Sequence, residues 1–207
     1  MKPVRVKICG ITNLEDALWA YQYGADAIGF IFSPQSVRFI SYSQAKKIAE
    51  QLPPFINKVG VFLNPKLSEV EEVLKEVPLD TLQFHGKESP VFCRRFAANF
   101  KIIKAFFPKK ISDLQSLSHY KVDAYLLDIP LADKKRIPQA TLSYKIVSRV
   151  LNINERIIIS GGLTPDNVGD FLKKFNPLAV DVARGVESLP GKKDRGKLER
   201  FIKIVKG

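Results

Sequence analysis

The sequence predicts an α/β protein folded as a (β/α)8 TIM barrel, with eight parallel strands inside eight outer helices. Eight times along its 207 residues a short run rich in Val, Ile and Phe is followed by an amphipathic stretch of helical period. Several of those runs end on a residue suited to chemistry, and such barrels carry their active sites at the carboxyl ends of the strands. An open doubly wound sheet alternates in the same way and is the alternative. Eight units, with no Gly-x-Gly-x-x-Gly after the first strand, favour closure.

Strands are expected at 3–8, 27–32, 58–62, 81–84, 101–106, 124–127, 156–159 and 179–182. Helices are expected at 13–23, 43–52, 66–77, 89–98, 111–119, 142–151, 165–174 and 192–205. In the first strand Val4, Val6 and Ile8 share one face while Arg5, Lys7 and Cys9 share the other, so the charged set points into the barrel. The third helix carries Leu67, Val70, Val73, Leu74 and Val77 as an apolar stripe. Asn64-Pro65 and Thr164-Pro165 read as helix starts, a side-chain acceptor at the N-cap and proline at the first helical position. Gln83 and His85 share a face of the fourth run. Asp128 stands at the mouth of the sixth, followed by a long polar loop instead of an immediate helix.

Composition narrows the class. The length fits one barrel at the compact end of its range, a single domain over residues 1–207. No run approaches the ~20 apolar residues of a membrane span, and Met1 leads directly into a strand with no signal peptide. A cytoplasmic protein without a membrane partner is expected. The two cysteines, Cys9 and Cys93, lack metal-site spacing, and Cys93 reads as a packed helix residue. The net charge of +12 is spread along the chain, with lysine pairs in different units, among them Lys46-Lys47, Lys109-Lys110, Lys173-Lys174 and Lys192-Lys193. Charge scattered over solvent faces argues for no nucleic-acid partner, since recognition needs it clustered. A positive surface would also speed capture of an anionic small substrate.

Chemistry concentrates at the strand ends. An inward Lys7 and Cys9 are costly to bury unless paired or functional. A lone Cys at a strand end is otherwise a small buried hydrophobe, and a lone His a satisfied structural residue. In a closed barrel the first strand meets the eighth, and parity puts Lys7 and Asp181 on inward faces across that seam. Gly161, Gly162 and, after the eighth strand, Arg184-Gly185 form loops in which backbone amides can approach an anion, the usual phosphate position in such barrels.

Lys7-Ile8-Cys9-Gly10-Ile11-Thr12, Leu82-Gln83-Phe84-His85-Gly86, Leu126-Leu127-Asp128, the run from Ser160 to Val168 and the run from Val180 to Glu187 occur in that order. With Pro190-Gly191-Lys192-Lys193-Asp194 they closely resemble the phosphoribosylanthranilate isomerase family of tryptophan biosynthesis. Phe30-Ile31-Phe32, with Ser33-Pro34 and Arg38 after it, and Gly60-Val61-Phe62 also fit. The resemblance implies a cofactor-free Amadori rearrangement of a small anionic phosphosugar, by a monomer or a homodimer. It implies Asp128 as general acid and Cys9, as a partly ionised thiolate helped by Lys7, as base. It also implies Arg38 on the anthranilate carboxylate, with Gln83, His85 and Asp181 lining the cavity.

Two departures from the family stand out. The segment 129–140 has no glycine and two prolines where the family has a glycine-rich loop, and Ala183-Arg184 replaces small hydroxyl residues. The related isomerase of histidine biosynthesis is one alternative, disfavoured by Cys9 where that enzyme has a carboxylate. A non-catalytic phosphosugar-binding barrel is the other.

Overall fold

The computed structural model describes residues 3–129 and 142–207. Its strands β1 (Arg5–Cys9), β2 (Ala27–Ile31), β3 (Asn57–Phe62), β4 (Thr81–Phe84), β5 (Lys101–Phe106), β6 (Ala124–Leu127), β7 (Ile157–Ile159) and β8 (Ala179–Val182) form a closed parallel barrel in chain order. Closure excludes the open sheet: β1 pairs with β2 on one side and with β8 on the other.

Alternation along the strands builds two apolar layers. Val6, Ile8, Ile28, Phe30, Leu82, Phe84, Val180 and Val182 belong to the large core that also takes in the helices. Cys9, Val59, Val61, Ile103, Ala105, Leu126, Ile158 and Ala179 form a separate cluster inside the barrel. Phe84 anchors the outer layer, its ring against Phe62, Phe92 and Phe96. Each such fully buried side chain contributes about 1.5–3 kcal/mol.

The helices are α1 (Leu14–Gln22), α2 (Tyr42–Glu50), α3 (Leu67–Glu76), α4 (Pro90–Arg94), a 3-10 helix Ile111–His119, α5 (Tyr144–Leu151), α6 (Val168–Leu172) and α7 (Arg195–Lys206). Side-chain caps set several starts: Asn13 accepts from Asp16 N, Ser41 from Gln44 N and Asp194 from Lys197 N. The α3 stripe buries Val70 and Val73 as expected. Among the described residues, no helix is long and apolar enough to cross a membrane.

Four local expectations need correction. Asn64 does not cap α3: it takes a left-handed φ of 49° and its Oδ1 accepts from Lys87 N, tying the loop after β3 to the loop after β4. Thr164-Pro165 opens a turn, and α6 begins only at Val168. The fifth helix is 3-10; within it Ser116 and Ser118 donate to carbonyls three residues back, and at its start Asp113 accepts from Lys109 N and Lys110 N. The eighth helix does not start at 192. Glu187–Leu189 (β9) and Lys192–Lys193 (β10) pair as a hairpin, and the Asp194 cap delays the helix to Arg195.

Candidate active site

At the seam, β1 and β8 place Lys7 opposite Asp181 in register. Lys7 Nζ donates to Asp181 Oδ1 at 2.7 Å, with both side chains buried, and Ser160 Oγ donates to Asp181 Oδ2 at 3.0 Å. Gly29 of β2 leaves the space they need: a Cβ there would lie 3.0 Å from Cys9 Sγ and 3.2 Å from Lys7 Nζ. Burial opposes the Lys7 charge, but Asp181 and Cys9 outweigh it and hold the ammonium above its ordinary pKa. For Cys9 the balance runs the other way. Burial pushes the thiol up and Asp181 adds to that, exceeding the downward pull of Lys7 and Lys193. Burial and Asp181 thus oppose the thiolate, while Lys7 and Lys193 favour it.

Asp128 follows β6 and is buried, its Oδ1 accepting from Ile129 N at 2.7 Å. His85, just past β4, brings Nε2 to 3.5 Å from Asp128 Oδ2. Its Nδ1 lies 2.9 Å from Gln83 Nε2. With the amide as donor, Nδ1 accepts and Nε2 carries the proton toward Asp128. Phe107 packs edge-on against the imidazole. A Cβ on Gly161, which has φ 85°, would come within 2.6 Å of Asp128 Oδ1, so this glycine makes room for the carboxylate. Strand parity thus brings Gln83, His85 and Asp128 together.

The loops after β7 and β8 touch one another. A Cβ on Gly185 would sit 1.9 Å from Leu163 O, and Gly162 has φ 76°. Arg184 is exposed and opens a 3-10 turn, Arg184–Val186. The altered loop after β6 falls in residues 130–141, outside those described.

Arg38 lies over Gly10, beside Cys9, and is held by Glu187 through two bonds, Nε to Oε1 at 2.7 Å and Nη2 to Oε2 at 2.6 Å. Lys193, read as a surface lysine, is instead wholly buried: Nζ bonds the Cys9 carbonyl at 2.6 Å and Glu187 Oε1 at 3.0 Å. Lys104 was not anticipated at all. Its Nζ pairs with Glu88 at 3.2 Å and donates to Gly86 O at 2.7 Å and Phe84 O at 3.4 Å, the carbonyls flanking His85. The available signal is a lysine in the interior of the strand Lys-Ile-Ile-Lys-Ala-Phe, flanked on both sides by apolar residues. Cys93 is buried in α4, as expected. Among the described residues, no group of three or more His, Cys, Asp or Glu side chains is arranged around a possible metal position.

A closed barrel that gathers titratable side chains and glycine loops at the carboxyl ends of its strands has the layout of a (β/α)8-barrel enzyme. The family model described as N-(5'phosphoribosyl)anthranilate (PRA) isomerase matches residues 6–204, and the chain belongs to that family. N-(5'-phosphoribosyl)anthranilate isomerase of Geobacter metallireducens is 43% identical over 203 residues, covering 98% of this chain and 99% of that one. A structure of monomers generated from the dimeric Thermotoga maritima isomerase superposes with TM-score 0.88 at 39% identity, covering 99% of each chain. An isomerase solved with reduced 1-(o-carboxyphenylamino)-1-deoxyribulose 5-phosphate gives TM-score 0.88 at 40% identity, with the same coverage.

Proposed function

We infer that this chain is an isomerase of tryptophan biosynthesis that converts N-(5-phosphoribosyl)anthranilate to 1-(2-carboxyphenylamino)-1-deoxyribulose 5-phosphate. The observation that carries the reading is the family match along the barrel, with Cys9 and Asp128 at the ends of β1 and β6. Asp128 protonates the ribose ring oxygen as the anthranilate nitrogen pushes the C1–O bond open, giving a protonated Schiff base. Cys9, as thiolate, removes the C2 proton; the C–H pair moves toward the cationic nitrogen and leaves an enolamine, which tautomerises to the ketone. Two transfers at two points on the sugar need an acid and a base on separate strands.

Burial weighs against the Cys9 thiolate, and the cations around it weigh in its favour. The Schiff-base cation formed first stabilises a thiolate beside it, in the same sense as Lys7 and Lys193. Arg38 spends its Nε–Nη2 edge on Glu187, so the anthranilate carboxylate takes the remaining side of the guanidinium. Gln83, His85 and Asp181 line the cavity. Gly161, Gly162, Arg184 and Gly185 supply the phosphate loops.

The protein works as one catalytic barrel without a cofactor, in the cytoplasm, as a monomer or a homodimer, with no nucleic-acid or membrane partner. Two free, buried cysteines and an anionic small substrate suit that setting. Substrate generated in situ from anthranilate and phosphoribosyl pyrophosphate tests the activity, through loss of anthranilate fluorescence on adding the protein. Binding without turnover would establish the non-catalytic alternative instead.

A further inference from the structure

The β9–β10 hairpin crosses the site at the seam. Its turn, Pro190-Gly191, has Gly191 at φ 83°, and Thr12 Oγ1 of the loop after β1 donates to Gly191 O at 2.5 Å. The same glycine faces Val37 O of the loop after β2, 3.6 Å from where its Cβ would stand. The hairpin therefore rests on both loops that flank Cys9 and Arg38.

Two of its charged side chains, Glu187 and Lys193, are buried. Lys193 is anchored on three sides, by the Cys9 carbonyl, by Glu187 and, through its backbone N–H, by Asp16 Oδ2 at 2.8 Å. Glu187 is buried between two cations: Oε1 takes Lys193 and Arg38 Nε, and Oε2 takes Arg38 Nη2. Burial raises the Glu187 carboxyl, but Arg38 and Lys193 outweigh it and keep it ionised. A bidentate carboxylate fixes the plane of a guanidinium as well as its position.

We propose that the hairpin is a positioning strap. Glu187, braced by Lys193, holds Arg38 in the orientation that selects a substrate bearing an aromatic carboxylate. Glu187 is thus a specificity-determining positioning residue that acts through Arg38. The proposal rests on the functional reading above, in which Arg38 meets that carboxylate. A strap that only stabilised the fold would lower activity on every substrate alike.

The test compares two aminoaldoses, made by condensing ribose 5-phosphate with anthranilate or with aniline, which lacks the carboxylate. The measured quantity is the ratio of kcat/KM on the first to kcat/KM on the second. In the full-length enzyme, Glu187→Gln should reduce that ratio about tenfold, mainly through a higher KM on the anthranilate substrate, as expected for lost uniform binding. Glu187→Asp keeps the charge opposite Lys193 while withdrawing the two-point grip, and should give a smaller drop in the ratio if Glu187→Gln does not fold. An unchanged ratio in the folded variants overturns the strap. Arg38→Met in the same assay separates the two ideas. If it leaves the ratio intact, Arg38 does not read the carboxylate, and the proposal fails there with its premise. A wild type inactive on both substrates refutes the functional reading itself.

Discussion

Lys7 and Asp181, 174 residues apart in sequence, form a buried ion pair across the seam that closes the barrel, Nζ to Oδ1 at 2.7 Å. The pair does two things at once. It neutralises an ammonium inside the barrel, and it sets a positive charge beside Cys9.

Lys7→Met should therefore destabilise the protein by about 3–5 kcal/mol, because it leaves the Asp181 carboxylate buried and uncompensated. The Lys7 pKa is raised on folding, so its stabilisation is complete below the ordinary lysine value and fades only as pH climbs past it. Urea unfolding at neutral pH reads the whole effect. A change under about 1 kcal/mol, the scale of an exposed pair, would show that the bond carries little energy.

Cys9 reactivity reports the other half. Alkylation of the unliganded enzyme should follow a midpoint above that of an ordinary thiol, since burial outweighs the nearby cations. Lys7→Met should move the midpoint higher still. A wild-type midpoint near neutrality would show that the cations beside Cys9 outweigh its burial.

Cys9→Ala and Asp128→Asn should each reduce kcat by ~10²–10⁴ or more while the fold, read by circular dichroism, is kept. Either variant retaining more than about a tenth of wild-type turnover loses its assigned role.

The glycine loops separate binding from chemistry. Gly185→Ala pushes a methyl into Leu163 O, 1.9 Å away, and should raise KM by displacing the loops proposed to hold the phosphate. Gly161→Ala meets Asp128 Oδ1 at 2.6 Å and should lower kcat instead. Steady-state kinetics on both variants decide the matter, and the reverse pattern would exchange the two roles.

Acid stability should track Asp26, which accepts from Arg5 at 2.7 Å, Val6 N at 2.7 Å and Lys206 at 2.5 Å, tying β1 to the last helix. Burial raises its carboxyl, but these donors outweigh it and the folded pKa is lowered. The stabilisation is full above the ordinary carboxyl value and is lost as pH falls through the folded one. From about pH 5 downward, the unfolding free energy of Asp26→Asn should fall less steeply than that of wild type. Parallel slopes would mean that Asp26 is not linked to acid unfolding.

The sequence by itself determined the eight strand–helix units and the set of side chains at the strand ends; the pairing of β1 with β8 decided closure. A strand's side chains alternate with period two, so Cys9, Gln83, His85 and Asp181 are assignable to inward faces, while Asp128 is placed at the mouth by following the sixth run. Lys7 opposite Asp181 followed from the same parity and from closure. The roles offered for Cys9, Asp128 and Arg38 came from family resemblance. Only the tertiary structure decided that Lys193 is buried and that Glu187 joins it to Arg38, because these contacts arise where a hairpin folds back over loops more than a hundred residues earlier. It also decided that Lys104, paired with Glu88, braces the backbone around His85. Periodicity records which face a side chain takes; burial and pairing depend on what the rest of the chain brings to that face, and local sequence does not encode it.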